Sequence, residues 1–264
     1  MSLCFLKSLS STSFRIQGSP PDITTKYEPF SIIWKRFFVF LSICRYFWTM
    51  KKRTLYTLLM ILCVVGFWVF DNFYTPNSYS DPKKDNSEVS IPEFILPSAT
   101  SGSVVHHVNY SLSYKEAYEQ AEWVAYTLKK EHLTYDDRER PYFIEDPYVK
   151  TKSADWRNYK RSGYDRGHLC PAGDRRFSEF AYNETFYTSN IVPQRNDFNA
   201  GVWNRLEMQT RYWAKKYGNV YVITGGVLKK GLDEIGDEDV AVPNYFYKII
   251  AKGRKDNIRA VAFL

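Results

Sequence analysis

The chain has 264 residues and a mass of 31.1 kDa, with 44% hydrophobic and 17% aromatic residues, enough for one large domain or two small ones and incompatible with a disordered, collagen-like or polytopic membrane protein. Its net charge of +7 is already accounted for by residues 1–70, where nine basic side chains (Lys7, Arg15, Lys26, Lys35, Arg36, Arg45, Lys51, Lys52 and Arg53) face two acidic ones, Asp22 and Glu28. The remainder is neutral overall, so the basic pI of about 9.0 does not by itself indicate a nucleic-acid partner; a local excess of 13 basic over 7 acidic groups is confined to residues 150–216.

Residues 1–49 read as an N-terminal extension with an apolar patch, residues 37–44, broken by Arg45. Met50 opens MKKRT, the expected natural start, and a membrane-surface helix is the alternative reading of the patch. Residues 54–70 carry no charge and follow Lys51-Lys52-Arg53; as a helix they would be roughly 25 Å long, at the short end of what crosses a bilayer core. Residues 50–70 are therefore expected to be a signal anchor. The basic flank places the N-terminus in the cytoplasm and the rest of the chain outside it, periplasmic or extracellular. Bulky Phe67, Trp68 and Phe70 leave no small-x-small cleavage site, which favours an anchor over a cleaved signal; cleavage would make the domain secreted. Residues 71–104, beginning with a run rich in Pro, Ser, Asn and Asp, read as a tether, and residues 105–264 as the folded domain.

Within that domain Ala117, Ala121, Val124, Ala125 and Leu128 recur at three- and four-residue spacings, predicting an amphipathic helix over residues 113–130. A second helix is predicted over residues 199–217, with Val202, Leu206, Gln209 and Trp213 as one stripe. Residues 219–224, 245–251 and 258–264 are β-branched and aromatic runs, hence strands. The mixture without strict alternation is an α+β domain. The last run reaches the end of the sequence without closing polar residues, so a missing C-terminal portion is expected. Cys170 is the only cysteine after residue 70, which excludes an intradomain disulfide and zinc-ribbon sites.

The chemistry concentrates in residues 163–174 (GYDRGHLCPAGD) and 186–207 (FYTSNIVPQRNDFNAGVWNRLE). A lone histidine between Gly167 and Leu169 is by itself more often structural, but DRGH followed by SNIVPQ, FNAGVW and RLE resembles the DNA/RNA non-specific endonucleases of the ββα-metal superfamily, the endonuclease G type among them, over roughly residues 114–264. Cys170 departs from the small residue common there. The resemblance implies an α+β ββα-metal fold with a mainly antiparallel central sheet flanked by helices. It also implies Mg²⁺-dependent hydrolysis of DNA and RNA leaving 5′-phosphate ends, with Mn²⁺ as a substitute ion.

Phosphodiester hydrolysis needs a base for water, a divalent ion and cations facing the developing charge. The resemblance makes His168 the base, Asn199 the single direct protein ligand of the metal, and Glu207 the holder of water in the metal's shell. It adds Arg166 and Asn190 to the catalytic group, and Arg140, Arg166 and Arg211 to phosphate binding. Blander readings stand beside these. Asn199 suits a helix N-cap, Arg211 an i,i+4 pair with Glu207, and Asn190 a buried turn before Pro193. Asp165 reads as a cap or a partner of Arg166, and Arg138 competes with Arg140. His106, His107 and His132 are expected at the surface. The partners implied are DNA and RNA through phosphate contacts and a membrane through residues 54–70; a homodimer is compatible. An inactive, anchored nucleic-acid-binding module is the alternative function.

Overall fold

The computed structural model describes residues 51–75, 79, 91–98 and 100–264; the N-terminal extension and its apolar patch lie outside the described residues. The chain divides into two compact units, residues 1–72 and 73–264. Helix α1 (Lys52–Phe73) has 22 residues, a mean hydropathy of 1.9 over its most apolar stretch and no buried residue. It extends the uncharged run 54–70 at both ends to about 33 Å, the thickness of a bilayer core. It is the one helix among the described residues long and apolar enough to cross a membrane.

The second unit is built on a six-stranded antiparallel sheet formed by β1 (Ser103–His106), β2 (Ser111–Lys115), β3 (Gln120–Leu128), β6 (Val220–Gly226), β9 (Phe246–Arg254) and β10 (Asn257–Phe263), in that spatial order. A two-stranded ribbon, β4 (Asp165–His168) with β5 (Ile191–Gln194), carries the DRGH motif, and β7 (Asp233–Ile235) pairs with β8 (Val240–Val242). The helices of this unit are short α2 (Glu179–Glu184), capped by Ser178, and α3 (Asn204–Tyr217).

The three C-terminal strand expectations hold, at slightly wider bounds. The helix expected over residues 113–130 does not form: β2, a 3-10 turn (Glu116–Tyr118) and β3 occupy it, with Glu119 in the left-handed region at φ 51°. β3 lies between β2 and β6 and is buried on both faces. Such a strand has no polar alternation, so its apolar residues fall at helical spacings as readily as at any other, and Trp123, Val124, Tyr126 and Thr127 are strand formers.

The predicted stripe on α3 forms in part: Leu206 and Trp213 pack against the core, Trp203, Thr210 and Ala214 are buried with them, and Val202 and Gln209 face outward. A wide turn over Phe198–Trp203, broken at Gly201 (φ −93°, ψ −110°), precedes α3.

One core packs sheet residues such as Leu112, Val124, Val222 and Ile250 against Val192, Trp203 and Ala214; each aliphatic side chain so buried contributes roughly 1.5–3 kcal/mol. A second gathers Phe143, Tyr182, Phe186, Ile191 and Val240 beneath the β4–β5 ribbon. Two residues of the tether also touch the domain, since Trp156 Nε1 and Arg157 both bond Thr75 Oγ1, and Tyr79 donates to the Tyr142 carbonyl. Two histidines expected at the surface are buried. The His107 imidazole lies between Asp146 (2.9 Å) and Glu184 (3.7 Å), and His132 stacks on Phe177 at 4.1 Å. His106 is exposed, as expected.

Candidate active site

Strand periodicity puts Arg166 and His168 on one face of β4 and Asp165 and Gly167 on the other. Both members of the first pair meet the same phenyl ring: the Arg166 guanidinium lies 4.7 Å from the Phe143 centroid and His168 5.6 Å from it. Phe186 completes this floor, 5.1 Å from Phe143 and edge-on to His168 at 4.9 Å. Arg140 spans both rings at 5.3 and 5.4 Å, while Arg138 is engaged with Asp136 at 2.7 Å.

Neither Arg140 nor Arg166 has a carboxylate partner within salt-bridge distance among the described residues. Burial, then Arg140, lowers the Arg166 pKa. Burial, followed by Arg140 and Arg166, depresses the His168 pKa to about 3. His168 is therefore neutral at any pH at which the fold operates, more completely than an unperturbed imidazole. Its Nε2 is buried and unpaired among the described residues, although the residue as a whole is half-buried. Two like charges held together on aromatic faces beside a neutral base form a site for an anion.

Asn190 is a brace of this strand. Fully buried, it accepts from Cys170 N (2.8 Å) and donates to the Cys170 and Thr185 carbonyls (3.0 and 2.9 Å), while its own backbone carbonyl accepts from Leu169 N (3.0 Å). Both polar atoms of its amide are engaged with backbone groups that follow β4 and α2. Asn190→Ala is expected to destabilise the domain by about 3 kcal/mol by orphaning three buried backbone groups; a denaturant melt showing a loss below about 1 kcal/mol would contradict this bracing role. Gly167 is required where two strands approach closely, since a Cβ there would lie 2.3 Å from the Gln194 side chain.

The opposite face of β4 reaches the second half of the site. Asp165 Oδ2 accepts from Asn199 Nδ2 and from Asn196 Nδ2, both at 3.0 Å. This bond fixes the Asn199 amide and leaves Oδ1 as the atom that could hold a metal. Asn199 is not the N-cap: Asp197 accepts from Phe198 N at 3.0 Å. Asp165 accordingly serves the asparagines rather than forming an ion pair with Arg166. On α3, Glu207 lies 3.4 Å from Arg211, whose shorter contact, 2.6 Å, is to Asp174. Tyr126 donates to the other Asp174 oxygen at 2.9 Å. The glycine at 173 admits Arg211, whose guanidinium would meet a Cβ there at 2.9 Å. Burial pushes the Glu207 carboxyl up to about 7, with Lys248 and Arg211 opposing the shift and Asp174 adding to it.

A single amide oxygen, Asn199 Oδ1, would suit a hard, oxygen-preferring divalent ion that keeps most of its waters. Among the described residues no cluster of three His, Cys, Asp or Glu side chains forms a closed metal cage, so the residues fit Mg²⁺ better than zinc.

The sequence profile of the DNA/RNA non-specific endonucleases matches residues 90–264. The chain belongs to that family. It is 38% identical to the mitochondrial nuclease EXOG of Danio rerio over 184 residues, covering 65% of this chain and 53% of the relative. It is 37% identical to human mitochondrial endonuclease G over 157 residues, 54% and 52% of the two chains, and 37% identical to nuclease C1 of Cunninghamella echinulata over 191 residues, 65% and 73%. A solved structure of the EndoG/EndoGI complex superposes with a TM-score of 0.56 at 30% identity, over 71% of this chain and 80% of that one. The chain spans about half the length of the mitochondrial relatives it matches.

The α+β fold with its antiparallel sheet thus agrees with the family expectation. Within this non-specific endonuclease domain the motif residues form three groups: His168 with Arg140 and Arg166 around Phe143 and Phe186, Asn199 bonded to Asp165 of the same strand as His168, and Glu207 with Arg211 beside Asp174. Local sequence reading misses Phe143, Phe186 and Asp174. Asp174 stands inside the GYDRGHLCPAGD motif with nothing in the sequence to indicate that Arg211 is its partner.

Proposed function

We propose that the chain is a Mg²⁺-dependent endonuclease hydrolysing DNA and RNA phosphodiester bonds with little sequence preference, with Mn²⁺ able to replace Mg²⁺. The observation carrying this reading is the Asp165–Asn199 hydrogen bond, which ties the candidate metal ligand to the strand bearing a neutral histidine and an unpaired arginine. His168 takes the proton of the attacking water. Arg140 and Arg166 bind the scissile phosphate and stabilise its developing charge. Asn199 holds the ion through Oδ1, Glu207 orients water beside it, and Arg211, held by Asp174, orients Glu207. The bound ion supplies charge stabilisation to the non-bridging and leaving oxygens. Weak sequence preference follows because phosphate contacts carry no base information.

The names of the relatives, nucleases and endonucleases, support the same reading. Helix α1 is proposed as a membrane anchor, with the basic side chains before it on the cytoplasmic face. The full chain in detergent, given supercoiled plasmid or single-stranded RNA with Mg²⁺, is expected to cut both and to stop on addition of EDTA. Cleavage that persists in EDTA, or its absence with Mg²⁺ and Mn²⁺ alike, would refute the proposal.

A further inference from the structure

The phosphate-binding floor is assembled from three separate stretches of chain. Phe143 follows Tyr142, Phe186 precedes Tyr187, and Arg166 reaches a second ring besides Phe143, that of Trp156 at 5.8 Å. The Arg166 side chain is exposed and has no carboxylate within salt-bridge distance among the described residues, so its printed restraints are these two rings. A guanidinium held on aromatic faces keeps its charge and its fork of donors available to a phosphate, whereas an ion pair would occupy both.

Two residues that follow helix α1 in the chain, Thr75 and Tyr79, meet all three stretches. Thr75 Oγ1 accepts from Trp156 Nε1 at 3.3 Å and from Arg157 Nη2 at 3.1 Å. The Arg157 guanidinium, paired with Asp155 at 2.6 Å, lies 5.0 Å from the Trp156 ring centroid. Tyr79 donates to the Tyr142 carbonyl, part of the peptide group that leads into Phe143. Its ring packs on Tyr187 at 5.3 Å, beside Phe186 in the chain. Tyr79 and Trp156 both pack against the buried cluster that contains Phe143 and Phe186. Burial raises the Tyr79 pKa, which keeps its hydroxyl a donor. A segment that only spanned a distance would need none of these contacts, each of which has to offset the entropy of ordering a linker.

We propose that Trp156 is a positioning residue for Arg166, and that Thr75 and Tyr79 form a strap holding Trp156 and the Phe143–Phe186 floor, so that phosphodiester binding depends on the segment following α1. This rests on the nuclease reading above. Trp156 acts through Arg166: without its ring the guanidinium is free among rotamers, and a bound phosphate has to order it.

The test is a double-mutant cycle in the full chain. Wild type, Trp156→Ala, Arg166→Ala and the double variant are compared by the Kd of a fluorescent single-stranded DNA oligonucleotide in EDTA, and by kcat/KM for its cleavage with Mg²⁺. Trp156→Ala is expected to weaken both by about tenfold, but to change either by less than about twofold once Arg166 is absent. Trp156→Phe keeps a ring without the N–H, and Thr75→Val removes the acceptor. Each should lower kcat/KM by about threefold, and together they should not add, because both break the same bond. These milder variants carry the cycle should Trp156→Ala not fold. A Trp156 effect of equal size with and without Arg166 would show a merely structural role and overturn the proposal, as would wild-type behaviour of both Trp156→Phe and Thr75→Val. Coupling in oligonucleotide binding by a wild type that cuts nothing would support the strap and refute the nuclease reading; cleavage by the wild type without coupling would do the reverse. A wild type that neither binds nor cuts would overturn both.

Discussion

His168→Ala is expected to lower plasmid cleavage by about 10²- to 10⁴-fold, the contribution of a positioned general base, while nucleic acid still binds. Binding survives because the phosphate contacts come from Arg140 and Arg166, whose places over Phe143 and Phe186 do not depend on the imidazole. The pH dependence should separate two groups. With its pKa depressed to about 3 by burial, Arg140 and Arg166 in the free protein, His168 is unprotonated at neutral pH, and a phosphate bound by the two arginines offsets their charges and makes the imidazole a stronger base. Glu207, raised to about 7, is the group whose protonation removes activity on the acid side of neutrality. A bound divalent ion lowers that value, so an acid limb at or below about 7 should appear in the wild type and persist in any residual activity of His168→Ala. Parallel gel-shift and nicking assays check the prediction; cleavage within about threefold of wild type, or lost binding, would remove His168 from the role of base.

The second large effect belongs to Asn199→Ala. Loss of the direct ligand atom is expected to reduce cleavage by about 10²-fold at low Mg²⁺, with partial recovery as Mg²⁺ or Mn²⁺ is raised, because the change weakens ion binding rather than the base. Asp165→Ala is the informative companion. It retains Asn199 Oδ1 but releases the amide from its 3.0 Å bond, so a smaller loss with the same metal rescue is expected. Metal titrations of the cleavage rate decide the matter. An Asn199→Ala enzyme with wild-type metal dependence would show that the ion is held elsewhere.

Much of the candidate site is legible in the amino-acid sequence. Period-two alternation along DRGH places Arg166 and His168 together, and the spacing of SNIVPQ, FNAGVW and RLE marks the brace, the turn and the helix that follow. The relation between Asn199 and Glu207 is less legible. Eight residues along an unbroken helix would set them roughly 80° apart, but Gly201 interrupts the helical backbone between them. The β2–β3 hairpin mimics a helix in sequence because a strand buried on both faces carries no polar alternation. Nothing near His107 in the sequence marks it as buried, because both of its carboxylate partners, Asp146 and Glu184, lie far along the chain.

The sequence by itself therefore determined the family resemblance, the apolar helix before the domain, the strands that follow the motif, and the residues that are candidates for the base, the metal ligand and the phosphate-binding cations. These rest on local codes: hydropathy, strand and helix periods, and residue types at short spacing. Only the tertiary structure decided how strongly each group is tuned. Burial and two unpaired arginines keep His168 neutral, and Asp165 orients Asn199. Asp174 occupies Arg211. Every one of those pairings joins elements separated along the chain, and the energy of a buried charge depends on which distant partner the fold brings to it.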